Sequence, residues 1–194
     1  LVTVNNSLNK GLYITSTHKF SEVDIQSVLK RMREIVDADM PIVKEHFTKE
    51  GVRILARKQK LAEASKLVES ITNIDDIEIY SLEDELQIFY NLLVPSTGYI
   101  QIFDLDIYKN GLILRYPHPA DPDEIAPYEE QEMLYNAFSE ANRWGQIMNV
   151  NFVCDLNERI LYDDVAEMVL MQEALHEKKI AEIADMIKEK KARV

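Results

Sequence analysis

The sequence predicts an α+β protein in which a mostly antiparallel sheet packs against helices, and three observations support this prediction. Apolar residues recur every three or four positions over 22–36, which is the period of an amphipathic helix. Between residues 77 and 116 they tend to alternate with polar residues, as they do in strands. The dipeptide Asn110-Gly111 lies between two apolar runs in that region, and this pattern is typical of a β-hairpin.

A proline-rich segment divides the chain. Residues 117–127 hold four of the six prolines, which predicts a linker or irregular loop. After this segment the helical period returns. We therefore predict an α+β domain over residues 1–120 and a helical connector over residues 128–194.

The first half of the chain predicts alternating strands and helices. Ser21 fits the N-cap of the helix at 22–36, and Asp24 lies where a capping box places its second polar residue. The Asn-rich residues before Gly11 predict a turn. The remaining predicted elements are a strand at 11–15, a strand at 42–47, a helix at 49–58 and a helix at 61–70.

The second half predicts strands and then helices. A strand pattern begins at Ile77 and resumes from Leu86 to Tyr90. Two further strands, at 99–106 and 112–116, form the predicted hairpin. Beyond the linker, the predicted elements are a helix at 129–148, a short strand within 149–157 and one or two helices over 162–191.

The composition argues against a nucleic-acid or membrane partner. The chain has 34 acidic and 22 basic residues, for a formal net charge of −12. Because proteins hold phosphate backbones mainly through Lys and Arg, we do not expect this chain to bind nucleic acid. Its apolar stretches are too short to cross a membrane, so we expect no membrane partner either.

Cys154 is the one cysteine, and its apolar neighbours favour a small core residue over a nucleophile. A single cysteine cannot form a disulfide within the chain, so the cytoplasm is the expected location. The first ten residues show no signal peptide. They also lack a starting Met, and we therefore expect the chain to be a fragment.

No motif predicts a catalytic residue, a cofactor or a metal. The five glycines are scattered, so they cannot build a phosphate-binding loop, and we expect no ATP site in this chain. Asp104 and Asp106 lie on one strand face, where they could share a cation or simply be solvated. The histidines lie too far apart for the local ligand pair of a zinc site: His18, His46, His118 and His176.

Several short stretches together resemble a known domain. They are Gly11-Leu12-Tyr13, Phe20-Ser21-Glu22, Asp39-Met40-Pro41-Ile42, Ile79-Tyr80-Ser81 and Val94-Pro95-Ser96-Thr97-Gly98. In order and spacing they are similar to the editing domain of threonyl-tRNA synthetases, the second additional domain that alanyl enzymes share. The resemblance implies a mostly antiparallel sheet with helices on one side and the hairpin at 99–116 in a central position.

In that family a Cys-x-x-x-His motif precedes the VPSTG run and works with an upstream His-x-x-x-His pair. Here Phe89 occupies the Cys position and Leu93 the His position, and the upstream pair would fall before Leu1. Phe and Leu can neither transfer a proton nor bind a metal. The resemblance therefore implies that the scaffold is kept and the editing chemistry is lost.

A second resemblance covers the whole chain. Residues 95–116, Trp144, Asp155-Leu156-Asn157 and Glu173–Ala181 are similar to their counterparts in bacterial uridine kinase-like proteins. Those proteins resemble fusions that end in a P-loop kinase. The resemblance implies that this chain is the non-catalytic N-terminal part of such a nucleoside kinase. Its partner would be its own kinase domain beyond Val194, which alone would bind ATP and magnesium.

The vestigial editing cleft is the predicted site for a small molecule: a nucleoside, a nucleotide or an amino acid. The candidate contacts are Tyr90, Ser96, Thr97, Arg115 and His118. Two alternatives stay open. The Ala- and Met-rich C-terminal helices also suit an oligomerisation or scaffold element, and the resemblance alone would allow a tRNA-editing hydrolase, against which the two apolar replacements argue.

Overall fold

The protein is described by a computed structural model, and its contacts divide the chain into two compact units. The sheet unit comprises Leu1–Phe47 and Ile77–Phe138, and the helical unit comprises Thr48–Asp76 and Ser139–Val194. These units are defined by contacts between residues. The predicted division into a domain at 1–120 and a connector at 128–194 stays a prediction. The structure describes residues 2–8, 10–58, 66–69, 76–89, 91–162 and 165–190.

The architecture is α+β, as the sequence predicts. The described strands are β1 (Val2–Leu8), β2 (Gly11–Ser16), β3 (Val43–Thr48), β4 (Asp76–Leu82), β5 (Glu85–Gln87), β6 (Asp104–Tyr108) and β7 (Gly111–Arg115). The described helices are α1 (Glu22–Asp37), α2 (Lys49–Lys58), α3 (Glu132–Met148), α4 (Val153–Leu161) and α5 (Val165–Lys190). Of the helix predicted at 61–70, residues 66–69 are helical and the rest lie outside the described residues.

Two sheets form the β part of the structure. The larger has the strand order β1-β2-β7-β6, and each neighbouring pair is antiparallel. The smaller has the order β3-β4-β5, with β4 and β5 antiparallel. An ion pair of 2.6 Å joins Lys44 Nζ to Glu78 Oε1 in the smaller sheet, and the Ser81 hydroxyl donates to Glu45 Oε1 at 2.9 Å.

The capping of α1 confirms the predicted start of the helix. The Ser21 hydroxyl accepts a hydrogen bond from the Asp24 N–H at 3.3 Å, and the Asp24 carboxylate accepts one from the Ser21 N–H at 2.8 Å. This reciprocal pair satisfies two backbone donors at the helix end. The helix buries Ile25 and Leu29, one turn apart.

The larger sheet is covered on both faces, which corrects the expectation of helices on one side. Neighbouring residues of a strand face opposite ways, so Leu112 and Ile113 of β7 belong to different clusters. Leu112 packs with Leu29 of α1, and Ile113 packs in a cluster that Tyr135 of α3 completes.

The predicted turn before Gly11 is confirmed at Lys10, which has a φ of 56° and lies between the paired residues Leu8 and Gly11 of the β1–β2 hairpin, although most of the Asn-rich stretch belongs to β1. Two other predicted strand features are wrong. The strand predicted over 99–106 begins only at Asp104, because residues 97–99 form a 3₁₀ turn. Because β6 is an edge strand, the hairpin is not central, and the inner strands are β2 and β7.

The short strand predicted within 149–157 is also wrong, since α4 begins at Val153. The Asp155 carboxylate accepts hydrogen bonds from the backbone N–H groups of Asn151 and Phe152, both at 3.1 Å. These bonds supply acceptors for otherwise unpaired N–H groups at the start of the helix.

The helical unit also contains buried side chains. Val52, Ala56, Val68 and Cys154 are each no more than 4% exposed. Lys66 Nζ binds Asp155 Oδ1 at 3.1 Å and Glu158 Oε2 at 3.3 Å, which ties residues 66–69 to α4. Among the described residues, no helix is long and apolar enough to span a membrane.

Candidate functional site

Thr97, the third residue of the Pro95–Gly98 run, is buried in the joint that follows α1. Its hydroxyl donates to the carbonyl oxygen of Ile35 at 2.7 Å and accepts from the N–H of Met40 at 2.9 Å. The Thr97 N–H in turn donates to the Met40 carbonyl at 2.9 Å. Thr97 is only 4% exposed, and a buried residue needs hydrogen-bond partners within the protein. These bonds provide partners for its hydroxyl and its N–H.

Asp39 completes this joint from the other side. It has a φ of 47°, in the left-handed region where Asp is one of the tolerated residues. Its carboxylate accepts from the hydroxyl of Ser96 and from the N–H of Gly98. The loop after α1 and the PSTG run are therefore fastened together by side-chain and backbone hydrogen bonds.

Gly98 leaves room for the Asp39 carboxylate. A Cβ atom added there would lie 2.3 Å from Asp39 Oδ1, closer than real Cβ contacts come. Any side chain at residue 98 would push the Asp39 carboxylate away. The run that carries the family resemblance thus acts here as a structural joint.

The predicted contacts do not converge on one cleft. The hydroxyls of Ser96 and Thr97 bond within the joint. Tyr90 lies outside the described residues. His118 is exposed in a turn, where its Nδ1 accepts from the N–H of Ala120 at 3.2 Å. The role of these residues in ligand binding stays a prediction.

Arg115 is the cation that the two strand aspartates share. Its Nη2 lies 3.0 Å from Asp104 Oδ2 and 2.7 Å from Asp106 Oδ2, and its Nε donates to Asp106 at 3.0 Å. Arg115 and Asp104 are cross-strand partners in the β6–β7 pair. Because two carboxylates already hold this guanidinium, the group is poorly placed to bind an anionic ligand.

The Cys and His positions of the resembled family hold the apolar side chains Phe89 and Leu93 here. Phe89 packs edge-on against the Tyr80 ring, with ring centres 6.2 Å apart. Leu93 is half-buried. In the described part of the chain, no group of three or more His, Cys, Asp or Glu side chains is arranged to hold a metal.

An open groove of about 1240 Å³ lies beside the joint. Tyr99 and Ile102, both exposed, line it together with Arg33 of α1. Its remaining lining residues are Val36, Asp37, Asp39, Gly98, Ile100, Gln101, Phe103, Tyr116, Pro117 and Pro122. None of the predicted contacts that the structure describes is among these residues, although Gly98 and Tyr116 directly follow Thr97 and Arg115 in the chain.

The sequence interpretation missed Asp39 and the groove for different reasons. Asp39 ends a helix in sequence, and its bonds to Ser96 and Gly98 cross more than fifty positions. Tyr99 and Tyr116 could have been found, since each directly follows a residue or run already singled out.

The fold is α+β with antiparallel sheets and packed helices, an architecture consistent with a domain of the aminoacyl-tRNA synthetase editing type. Comparison with known proteins gives the particular relationship. The chain contains a threonyl-tRNA synthetase-like domain.

Three relatives illustrate this similarity. The threonine–tRNA ligase of Syntrophotalea carbinolica is 29% identical over 156 residues, which are 73% of this chain and 23% of the ligase. That of Rhodospirillum rubrum is 31% identical over 101 residues, 50% of this chain and 15% of the ligase. That of Burkholderia lata is 27% identical over 110 residues, 54% of this chain and 17% of the ligase.

The chain spans less than a quarter of the length of these curated relatives. No protein-family model matches it.

Proposed function

We propose that the chain is a non-catalytic module of a uridine kinase-like, ATP-dependent nucleoside kinase, built on a threonyl-tRNA synthetase-like domain that no longer edits. One observation carries the loss of editing. Phe89 and Leu93 occupy the positions of the Cys and His in the resembled family, and neither offers a proton or a lone pair.

The joint supports the same proposal. A hydrolytic site needs polar groups that are aimed at a substrate. The hydroxyls of Ser96 and Thr97 are instead bonded to Asp39 and to the Ile35 carbonyl. The VPSTG run is present, but its hydroxyl groups hold the loop to α1. This use of the motif supports a structural role for the domain.

The kinase part of the proposal rests on the sequence resemblance over residues 95–116 and 173–181. In this proposal the module acts in the cytoplasm on its own kinase domain, which binds ATP and magnesium. It either positions that domain or reports the binding of a small molecule. The groove beside the joint offers such a ligand apolar and aromatic surface, one arginine and two aspartates.

The full gene product tests the kinase proposal. Phosphate transfer from ATP to each nucleoside is measured for the intact protein and for a version without residues 1–194. We expect transfer to uridine by the intact protein and an altered rate when the module is removed. If the intact protein transfers no phosphate to any nucleoside, the kinase assignment is wrong.

A deacylation assay tests the loss of editing. We expect this chain to release no amino acid from mischarged threonine tRNA above the rate in buffer. The double variant Phe89→Cys with Leu93→His shows whether those two positions alone restore the chemistry. Hydrolysis by the unmodified chain would contradict the proposal.

Thermal unfolding tests the small-molecule role. A ligand that binds only the native state raises apparent stability by about 2.7 kcal/mol at one hundred times its dissociation constant. Nucleosides, nucleotides and amino acids are added in turn to the chain and to its Tyr99→Ala variant. A shift that the variant loses assigns the ligand to the groove, and no shift with any compound rejects the sensing role.

A second candidate function is oligomerisation, and a specific observation favours it. No side chain of α5 is fully buried, and large apolar residues on it are exposed to solvent. Leu170 is 66% exposed and Ile180 is 54% exposed. Apolar surface of this extent on one helix is typical of an interaction site.

A further inference from the structure

The long helix α5 uses one face to pack within the helical unit. Met168, Met171, Leu175 and Lys179 recur at helical spacing, and all four are half-buried. Lys179 Nζ also binds Glu140 Oε1 at 2.7 Å, which fixes this face against α3. The packed face therefore accounts for only one side of the helix.

A second row of residues, the α5 stripe, runs along the helix about a quarter turn away from the packed face. Its central apolar members are Val169, Ile180 and Ile183, which are 46%, 54% and 43% exposed. The complete stripe is Val165, Val169, Gln172, His176, Ile180, Ile183 and Ile187.

The stripe repeats every eleven residues, so that Val165, His176 and Ile187 are equivalent, as are Val169 and Ile180. Eleven residues in three turns is close to the natural period of the α-helix. The stripe therefore stays on one side over the whole length of α5, which is what a lengthwise helix partner requires.

We propose that the α5 stripe binds the α5 stripe of a second copy of this chain, as a parallel, in-register helix pair. The proposal gives the second candidate function its partner and does not depend on the kinase assignment. Burial of the exposed valine and isoleucine side chains is the driving force.

The polar residues in the middle of the stripe favour the parallel arrangement. In register, Gln172 meets Gln172 and His176 meets His176, and each can hydrogen-bond its counterpart. A polar pair of this kind fixes register in helix dimers. In an antiparallel pair centred on His176, each Gln172 would be buried against an Ile180.

The charges beside the stripe favour the same orientation. Glu173 and Glu177 lie along one edge of the stripe, and Lys179 lies along the other. A parallel pair brings the acidic edge of each copy to the Lys179 edge of the other, whereas an antiparallel pair brings the two acidic edges together. Lys179 is 36% exposed, so its ammonium group can serve a second carboxylate besides Glu140.

Analytical ultracentrifugation of the whole chain tests the dimer. We expect a species of about twice the 22.5 kDa chain mass that grows with protein concentration. The double variant Ile180→Glu with Ile183→Glu places two charges in the stripe and is expected to abolish this species. Leu170→Glu is the matched control, because Leu170 is an exposed apolar residue of the same helix outside the stripe.

Circular dichroism verifies that each variant keeps its helices. A chain that stays monomeric at every concentration overturns the proposal. So does a dimer that persists in the folded double variant, or one that the control variant also loses.

Disulfide trapping tests the orientation. Two cysteines form a disulfide only when their Cα atoms approach within about 7 Å. The one native cysteine, Cys154, is 4% exposed, so an introduced thiol reports the interface. We expect Val169→Cys to cross-link to itself and Ile183→Cys to do the same, while Leu170→Cys does not.

An antiparallel pair would give a different result. Residues 169 and 183 are about 21 Å apart along a helix. Cross-links that form only when the Val169→Cys and Ile183→Cys proteins are mixed would overturn the parallel arrangement. Failure of the dimer leaves the phosphate-transfer assay unaffected, so the two proposals can fail separately.

Discussion

The sheet unit buries large side chains on both faces of its main sheet, whereas α5, the long helix of the helical unit, leaves its large apolar side chains at least partly exposed. Tyr13, Leu29 and Ile113 are each no more than 6% exposed in the sheet unit. α5 has no fully buried residue. The same chain thus holds one region that buries large side chains on both faces of a sheet and one long helix that leaves apolar side chains exposed.

The joint at Thr97 shows how the sheet unit achieves this completeness. Residues 96–98 lie far from α1 in sequence, and their hydrogen bonds fasten them to its C-terminal end. The hydroxyls of Ser96 and Thr97 serve packing in this joint. In the helical unit the comparable tie is an ion pair, between Lys66 and α4, which is weaker because water competes for it.

The largest expected effect comes from truncating the sheet unit's core. Leu29→Ala leaves a cavity among Ile25, Leu105 and Leu112, and should lower the free energy of unfolding by about 2–5 kcal/mol. Ile180→Ala, on the exposed stripe, should change it by less than about 0.5 kcal/mol in dilute monomer. Urea unfolding of both variants measures the difference, and equal losses would remove the contrast between the units.

The next effect comes from the joint. Thr97→Val replaces the hydroxyl by a methyl group and leaves the Ile35 carbonyl and the Met40 N–H without this partner. We expect a loss of about 1–3 kcal/mol in the free energy of unfolding. Ser27→Ala, which removes an exposed hydroxyl bonded within α1, is the control and should have almost no effect. An unchanged free energy of unfolding in Thr97→Val would show that the Thr97 hydrogen bonds do not stabilise the protein.

A pH-dependent effect is expected in the helical unit at Asp155. Burial by itself would raise the pKa of Asp155, but hydrogen bonds from Lys66, Asn151 and Phe152 outweigh burial and lower it. The ionised group therefore contributes stability above its unfolded pKa of about 4, and this is lost as pH falls through the lower folded value.

Asp155→Asn should remove about 1 kcal/mol at neutral pH and less at acidic pH. Urea unfolding at neutral and acidic pH, monitored by helix content, measures both values. Asp185→Asn, at an exposed position of α5, serves as the control and should lower stability little at either pH. A loss in Asp155→Asn that is the same at every pH would contradict the ionic mechanism.

The smallest effect is expected at Arg115. Arg115→Met leaves Asp104 and Asp106 without their shared cation, and should cost about 1 kcal/mol, less at high salt. Arg31→Met, which breaks an exposed 3.2 Å pair with Glu34, should cost less. The free energy of unfolding of both variants is measured at low and at high salt. A loss for Arg115→Met that is the same at both salt concentrations would argue against the ion cluster.

Local signals in the sequence determined much of the fold. The capping box at Ser21 and the apolar period place α1 within one residue of its predicted end, and α2 begins and ends as predicted. The hairpin turn at Asn110-Gly111 is confirmed by the pairing of β6 and β7. These features depend on residues only a few positions apart, whose interactions the chain order itself displays.

Only the tertiary structure decided how those elements are used. The sequence places Ser96 and Thr97 in a candidate cleft, but their partners Asp39 and Ile35 lie 57 and 62 positions away. It also leaves open a shared cation or solvent for Asp104 and Asp106, where the facing strand supplies Arg115. Hydrogen bonds and ion pairs between distant residues depend on how strands and helices meet in space, and that geometry is set by the burial of the whole core.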